Sequence, residues 1–373
     1  MRIPVLPLFA ASLGAGTAQV GMINAAFMLS AGLLAIPSGL VSDRLGRRPM
    51  LLGGLLLMAV SSLLIPLSSS SLAMAAIYLL FGVGLAAFTP TMMSLIADVA
   101  PRSHLGRAYS WYTTAVYVGM TFGPAAGGLL GRAWGLRQVF LISGGLIFLA
   151  LLISRIFLPK EMIDRHAENR KISIRRSLSI LLHNRRLLAA LLGTVGGCFG
   201  FGMFITFLPL HAKAQGLNAG HVGIVFAAQA LANVLLRIPF GRLSDRLDRG
   251  LMSVAGLFIF DVALGMTGMF GGVISLSACA VLLGLGMGIG FTALGALVAD
   301  VVSQEQRGLA MGLYNSCIYL GMMLSSASMG GVIREIGFKD GFILAGAISL
   351  TLTLVFFMLY RTISNSEKIP QTA

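Results

Sequence analysis

Apolar segments about as long as a membrane is thick recur through the chain. Four of them are 49–67, 72–97, 139–158 and 251–270. An α-helix needs roughly 20 apolar residues to cross a hydrocarbon core about 30 Å thick. The segments do not alternate between apolar and polar residues, as the strands of an outer-membrane barrel do. With 57% hydrophobic and only 11% charged residues, the chain is predicted to be an all-α membrane protein.

The basic residues predict how the helices are oriented. The net charge is +14, but most Lys and Arg residues fall in short loops and not on one basic face, so nucleic acid is not an expected partner. One set of loops holds most of them, including the cluster at 160–186. By the positive-inside rule these loops are cytoplasmic. The expected location is therefore the plasma (inner) membrane, with many spans and with the central loop and C-terminus in the cytoplasm.

An internal repeat divides the chain into two copies. An offset of 202 positions, which takes residue 39 to residue 241, aligns the copies without gaps. Matched pairs include Pro7 and Pro209, Gly21 and Gly223, Pro37 and Pro239, Gly82 and Gly284, and Asp98 and Asp300. A constant offset and an even number of spans in each copy indicate parallel repeats. The predicted spans of the second copy are about 187–212, 221–242, 250–271, 273–298, 308–332 and 339–360.

The repeat also predicts the domains. The N-terminal half is 1–158, a basic cytoplasmic linker is 159–186, the C-terminal half is 187–361 and the tail is 362–373. Mapped back by the offset, the first copy lacks the first half of its opening helix, which leaves eleven full spans and a partial one. We expect an upstream segment to complete this helix; a degenerate chain is the alternative. The linker sequence "ISIRRSLSILL" is either an amphipathic helix on the membrane surface or a plain tether.

The loop "GLVSDRLGRRP", which begins at residue 39, resembles the signature loop of the major facilitator superfamily, and "GRLSDRLDR" at 241 resembles its weaker repeat. The resemblance covers essentially the whole chain and implies two six-helix bundles that face each other across a central cavity. It also implies a latch that holds the outward-open state closed on its cytoplasmic side. The predicted latch residues are Gly39, Asp43, Arg44, Gly46, Arg47, Arg48 and Asp98, with Gly241, Asp245, Arg246 and Asp300 in the second copy. The alternative is that the basic residues only anchor the loop and set the topology.

The physical chemistry of the loop is compatible with both interpretations. The glycines permit close helix approach and turning. Asp43 can interact with the positive N-terminal dipole of a neighbouring helix. The arginines can pair with the carboxylate of Asp98.

A second motif, "GMTFGPAAGG", lies in the fifth span and resembles the motif that marks antiporters of this superfamily. Its residues are Gly119, Gly123, Pro124, Gly127 and Gly128, and Ser110 stands where the family pattern has a further glycine. Helix packing alone is the alternative explanation of these glycines. The fourth span has Tyr78 where many drug and proton antiporters have an arginine, so that route of proton coupling is not expected.

Polar residues within apolar spans are candidates for the substrate site, since they are costly in a membrane. Gln229, Asn233 and Arg237 form a stripe along one face of the eighth span. The other cavity candidates are Arg2, Asn24, Thr113, Tyr117, Asn315 and Tyr319. Asp261 lies midway through the ninth span, where it forms either an ion pair with Arg237 or a protonation switch for coupling.

The sequence contains no nucleotide motif, nucleophile constellation or metal-ligand cluster, so neither an enzyme nor a cofactor is expected. We therefore predict a monomeric secondary transporter that works by alternating access in the lipid bilayer. Proton-linked efflux of a small organic solute is the favoured direction, by resemblance of the fifth span. An importer of a small organic anion, which would use Arg2 and Arg237, is the alternative. From another class, the alternative is a membrane protein that senses or handles lipid without transport.

Overall fold

A computed structural model describes residues 1–101, 104–158, 174–244, 247–303 and 306–368, and all their regular secondary structure is helical. The first half contains α1 (Arg2–Ser12), α2 (Thr17–Leu45), α3 (Arg47–Leu64), α4 (Ser71–Val99), α5 (Leu105–Trp134) and α6 (Leu136–Phe157). A 3₁₀ turn, Ile65–Leu67, follows α3. The linker helix is α7 (Ile174–His183). The second half contains α8 (Arg185–Ala214), α9 (Ala219–Ser244), α10 (Arg249–Thr267), α11 (Val273–Asp300) and α12 (Arg307–Lys368).

The last helix is two helices joined at a glycine. Gly337 has φ 83° and ψ 173°, which is not helical, and it divides α12 into α12a (307–336) and α12b (338–368). Among the described residues, nine helical stretches are long and apolar enough to span a membrane, and the stretch Arg307–Ile363 is one of them. Each predicted span of the second copy has a helix at the predicted place, so the all-α membrane fold is confirmed. In the first copy, α1 has 11 residues.

The backbone repeats with the same offset as the sequence. Gly14 has φ 85° and its counterpart Gly216 has φ 79°, while Gly135 has φ 92° and its counterpart Gly337 has φ 83°. Residues with a side chain rarely adopt such a positive φ, whereas glycine does so at little cost. The same turns therefore end the same helices in both halves.

The two halves meet along two equivalent helix pairs, α2 with α12a and α5 with α9. Glycines allow their backbones to come close. A Cβ atom at Gly330 would lie 2.7 Å from the carbonyl oxygen of Thr17, and one at Gly223 would lie 3.0 Å from that of Pro124. The hydroxyl of Thr17 also donates a hydrogen bond to the carbonyl of Gly330, over 2.8 Å.

The largest buried apolar cluster among the described residues joins the halves near one end. We call the end with the α2–α3 and α9–α10 connections the basic end, and the other the opposite end. A large buried cluster near the opposite end combines residues of both halves, including Phe9, Phe140, Phe207 and Phe342. A second cluster, near the basic end, is built from described residues of the second half alone, with Leu187 as one member. The structure is therefore closed at the opposite end.

Candidate functional site

A cavity of about 500 Å³ lies between the two halves. Its walls come from α1, α5, α8, α9, α11 and α12a. Most of the lining is apolar, as at Phe201, Phe226 and Phe291. The polar side chains of the described lining are few and mostly carry hydroxyls or amides, and none of these side chains is acidic or basic. This composition suits a small, largely apolar compound that a few hydrogen bonds orient.

The cavity opens where α5 and α9 separate. Their backbones touch at Gly128 and Gly223, near the opposite end, but a Cβ at Gly119 would have no atom within 4 Å. On the other side of the molecule, α2 and α12a stay in contact, since Ser316 Oγ donates to the carbonyl of Gly32 over 3.2 Å. Among the described residues, α5 and α9 therefore diverge beside the cavity, on the side of Gly128 that faces the basic end.

The amide stripe on α9 faces the cavity. Gln229 and Asn233 are 7% and 9% exposed, and both line it. Gln229 Nε2 donates to Met287 Sδ over 3.1 Å, while Asn233 Oδ1 has no hydrogen-bond partner among the described residues. Asn233 Oδ1 is therefore a buried acceptor without a described partner, in a residue that lines the cavity. The side chain of Arg237, the third member of the stripe, lies outside the described residues.

Not all of the other cavity candidates line the cavity. Asn315 lines the cavity. Tyr319 is not among the lining residues and packs edge-on against Phe27, with ring centroids 6.4 Å apart. Thr113 is absent from the lining, and its hydroxyl donates to a carbonyl of its own helix over 2.7 Å. Asn24 is buried in α2 and is not a lining residue either, and the side chain of Tyr117 lies outside the described residues.

Arg2 differs from its predicted position in the cavity. Its guanidinium lies inside the first bundle, 3.7 Å above the ring centroid of Phe81, and Nη1 donates to Ser62 Oγ over 2.7 Å. Its neighbours Met1 and Ile3 do line the cavity. Because successive residues of an α-helix are rotated by about 100°, Arg2 points into the bundle instead.

The fifth-span motif lies where the closed end meets the cavity. Gly119 and Pro124 line the cavity. A Cβ at Gly123 would lie 2.9 Å from the nitrogen of Met1, and Gly127 packs against the backbone of the same residue. Gly128 contacts α9. The motif therefore brings α5 close to both α1 and α9 and then allows α5 to diverge from α9.

Two equivalent ion pairs stand at the basic end. Arg47 Nε lies 3.0 Å from Asp98 Oδ2, and Arg249 Nη1 lies 2.5 Å from Asp300 Oδ2. The first pair joins α3 to α4 and the second joins α10 to α11. Each pair therefore lies within its own half of the molecule, and neither pair connects the two halves.

The remaining latch candidates have different surroundings. Arg48 Nη2 donates to the carbonyl of Arg155 over 2.8 Å, whereas Arg44 is exposed. Gly46 connects α2 to α3 with φ 92°, as a turn requires. A Cβ at Gly39 would meet nothing within 4 Å, so no close helix approach occurs there. Outside the described residues lie the side-chain surroundings of Asp43 and Gly241, and all of Asp245 and Arg246.

A model of the Major Facilitator Superfamily matches residues 1–222 and 190–373. The chain belongs to the Major Facilitator Superfamily. This confirms the resemblance that the two signature loops and the repeat indicated, and it makes the protein a transporter of small molecules in the lipid bilayer. Its family and structural neighbours are transporters and not enzymes.

Similar proteins of nearly the same length support this assignment. An uncharacterised MFS-type transporter of Methanocaldococcus jannaschii is 26% identical over 359 residues, which cover 95% of this chain and 92% of that protein. The multi-drug resistance efflux pump PmrA of Streptococcus pneumoniae is 23% identical over 375 residues, or 98% and 93% of the two chains. The crystal structure of the nucleoside transporter NupG superposes with a TM-score of 0.82 at 12% identity, over 96% of this chain and 94% of that one.

Three polar residues that contact the candidate acidic residues were not predicted from the sequence. Arg249, the partner of Asp300, could have been found, because it is the repeat counterpart of Arg47. The partners of Asp261 could not. Its Oδ1 lies 2.5 Å from Ser349 Oγ, and its Oδ2 accepts a hydrogen bond from Thr353 Oγ1 over 2.7 Å. Hydroxyls are common in membrane helices, and no sequence pattern marks these two.

Proposed function

We propose that this transporter exports small, largely apolar organic compounds in exchange for protons. The observation that carries the proposal is the cavity, whose described lining combines aromatic and aliphatic side chains with a few amides and has no acidic or basic side chain. Such a surface gains affinity from apolar burial and tolerates varied ligand shapes. The similarity to PmrA, named as a multi-drug resistance efflux pump, points the same way.

The structure supplies one of the two conformations that alternating access requires. The opposite end is closed by glycine contacts and by a shared apolar core, and among the described residues α5 and α9 diverge towards the basic end. If the basic end faces the cytoplasm of a cell, as the positive-inside rule predicts, this conformation loads its substrate from the cytoplasm. The second conformation would part α5 from α9 at Gly128 and Gly223.

The ligand site itself is proposed to centre on α9. Asn233 Oδ1 accepts a hydrogen bond from the compound, and Gln229 and Asn315 supply further polar contacts. Phe201, Phe226 and Phe291 stack on its aromatic parts.

The ion pairs at the basic end are proposed to set the conformational equilibrium. Arg47 with Asp98, and Arg249 with Asp300, fix the loops that approach each other when that end closes. We further propose that 1–158 and 187–361 move as two halves, with 159–186 as a cytoplasmic linker and 362–373 as a cytoplasmic tail. We propose a monomer in the plasma (inner) membrane, since each half already packs against the other.

Import of an organic anion has weaker support. That alternative depended on Arg2 and Arg237, and Arg2 lies within the first bundle, bonded to Ser62. A lipid-handling or sensor role also lacks a specific observation in its favour.

Reconstituted vesicles test the proposal with three probes of different charge. Chloramphenicol is neutral, ethidium is cationic and salicylate is anionic. We expect chloramphenicol or ethidium to accumulate in vesicles with an acidic lumen. This accumulation should stop when a protonophore collapses the pH gradient. Thr351→Val changes an exposed residue of α12b outside the cavity. It is the control variant and should transport the probes like the wild type. Transport of salicylate alone would favour the import alternative.

A further inference from the structure

A buried carboxyl group lies in the second bundle, outside the cavity. Asp261 is in the middle of α10 and is 2% exposed. Its carboxyl oxygens contact the hydroxyls of Ser349 and Thr353, both on α12b and both fully buried. Ser349 Oγ also lies 2.8 Å from the carbonyl oxygen of Gly196, on α8. The four groups form a compact oxygen cluster that joins three helices.

No described cation balances a charge at this site. The charged and titratable side chains on the neighbouring helices bond elsewhere or lie towards the helix ends. On α8, His211 contacts the carbonyl of Phe270. On α12b, Tyr360 donates to Asp248 at the basic end, and on α11, Asp300 pairs with Arg249. The remaining groups of this kind with described side chains on those helices are Arg185, Arg186, Cys198, Lys213, Cys279, Lys339, Asp340 and Arg361, and none of them has a described contact with Asp261. An ionised carboxylate would therefore be buried without a counter-charge, which is costly.

The number of hydrogens in the cluster also indicates that Asp261 is protonated. The cluster has three short contacts, Ser349 to Asp261, Ser349 to Gly196 and Thr353 to Asp261. A serine and a threonine hydroxyl supply one hydrogen each, while a backbone carbonyl and an ionised carboxylate supply none. Two hydrogens cannot make three separate two-centre hydrogen bonds, and each of the three contacts is short enough to be one. A proton on Asp261 provides the third: Asp261 Oδ1 then donates to Ser349 Oγ, which donates to Gly196, while Thr353 donates to Asp261 Oδ2.

Helix α8 separates this cluster from the cavity. Cys198 and Phe201 line the cavity on one face of α8. On the other face, a Cβ at Gly200 would lie 3.2 Å from Ser349 Oγ, and Gly196 accepts from the same hydroxyl. A shift of α8 against α12b would remove the Gly196 acceptor and with it the arrangement that holds the proton.

We propose that Asp261, Ser349, Thr353 and Gly196 form a proton-binding site that is occupied in this conformation and is emptied when α8 moves. A solute in the cavity touches α8 on one face and the proton is held on the other, so the two ligands act on one helix without sharing a side chain. The link to transport rests on the proposed proton-linked export. The occupancy of the site does not.

Infrared spectroscopy of the reconstituted full chain tests the occupancy. A protonated carboxyl group has a C=O stretching band that an ionised carboxylate lacks, and the band shifts in D₂O. At neutral pH we expect this band in the wild type, its loss in Asp261→Asn and a shifted band in Ser349→Ala. Asp340→Asn, at an exposed aspartate, is the matched control and should leave the band unchanged. Identical bands in the wild type and Asp261→Asn would overturn the proposal.

Transport of chloramphenicol and ethidium tests the coupling separately. Asp261→Asn should bind both probes like the wild type but lose their accumulation in response to a pH gradient. Gradient-driven accumulation by Asp261→Asn at the wild-type level would refute the coupling role. If the wild type moves neither probe while the band is present, the proposed export fails and the proton site stands. Should Asp261→Asn not fold, Ser349→Ala answers through its band, and an unshifted band would contradict the cluster.

Discussion

Replacement of Gly223 by alanine should shift the transporter away from the conformation described here. A Cβ at this position would lie 3.0 Å from the carbonyl oxygen of Pro124, 3.1 Å from Cα of Gly128 and 3.3 Å from Cα of Ala125. All three are backbone atoms of α5, so the helices must separate to make room. Overpacking of this kind costs about 1–3 kcal/mol. Since the contact is expected only while the opposite end is closed, the equilibrium should move roughly 5- to 150-fold towards the other conformation.

Distances between spin labels measure that shift. Labels at Trp134→Cys on α5 and Lys213→Cys on α8, both exposed sites near the opposite end, should report a longer separation in Gly223→Ala. Gly331→Ala is the matched control, because a Cβ there would meet nothing within 4 Å while the gain in helix propensity is the same. Equal distance distributions in the two variants would refute the reasoning.

Three further changes probe other parts of the site. Asn233→Leu removes the acceptor proposed to bind the compound, so chloramphenicol affinity measured by equilibrium dialysis should fall about 2- to 13-fold, the equivalent of one hydrogen bond; unchanged affinity would exclude the contact. Asp98→Asn breaks an ion pair whose carboxylate is 40% exposed, so we expect the thermal unfolding free energy to fall by about 1 kcal/mol or less while the rate of chloramphenicol transport changes; a normal rate would leave only an anchoring role. Arg2→Met should leave salicylate binding as it is in the wild type, and a loss of binding would place Arg2 in the ligand site after all.

The helices and their repetition were predictable from the sequence because burial in a membrane imposes long apolar segments. The offset of 202 also carries tertiary information, since Gly14 and Gly216 form the same turn and Arg47 and Arg249 form equivalent ion pairs. That offset could have identified Arg249 in advance.

Other features depend on packing that no local pattern encodes. Arg2 was expected in the cavity, but the rotational phase of a short helix is set by its neighbours, and the aromatic ring of Phe81 receives the guanidinium. The partners of Asp261 come from a helix almost 90 residues further along the chain, as the separations of 88 and 92 show. The sequence also does not predict which end of the molecule is closed in this structure, because both conformations use the same residues.

Proton movement driven by solute tests the central claim most directly. Vesicles that contain the transporter and a trapped pH-sensitive dye would receive an outward gradient of chloramphenicol or ethidium without any imposed pH gradient. We expect protons to enter the lumen as the solute leaves, so that the internal pH falls. In Asp261→Asn this fall of internal pH should be absent. Solute movement at a normal rate with no change of internal pH would contradict proton-linked export.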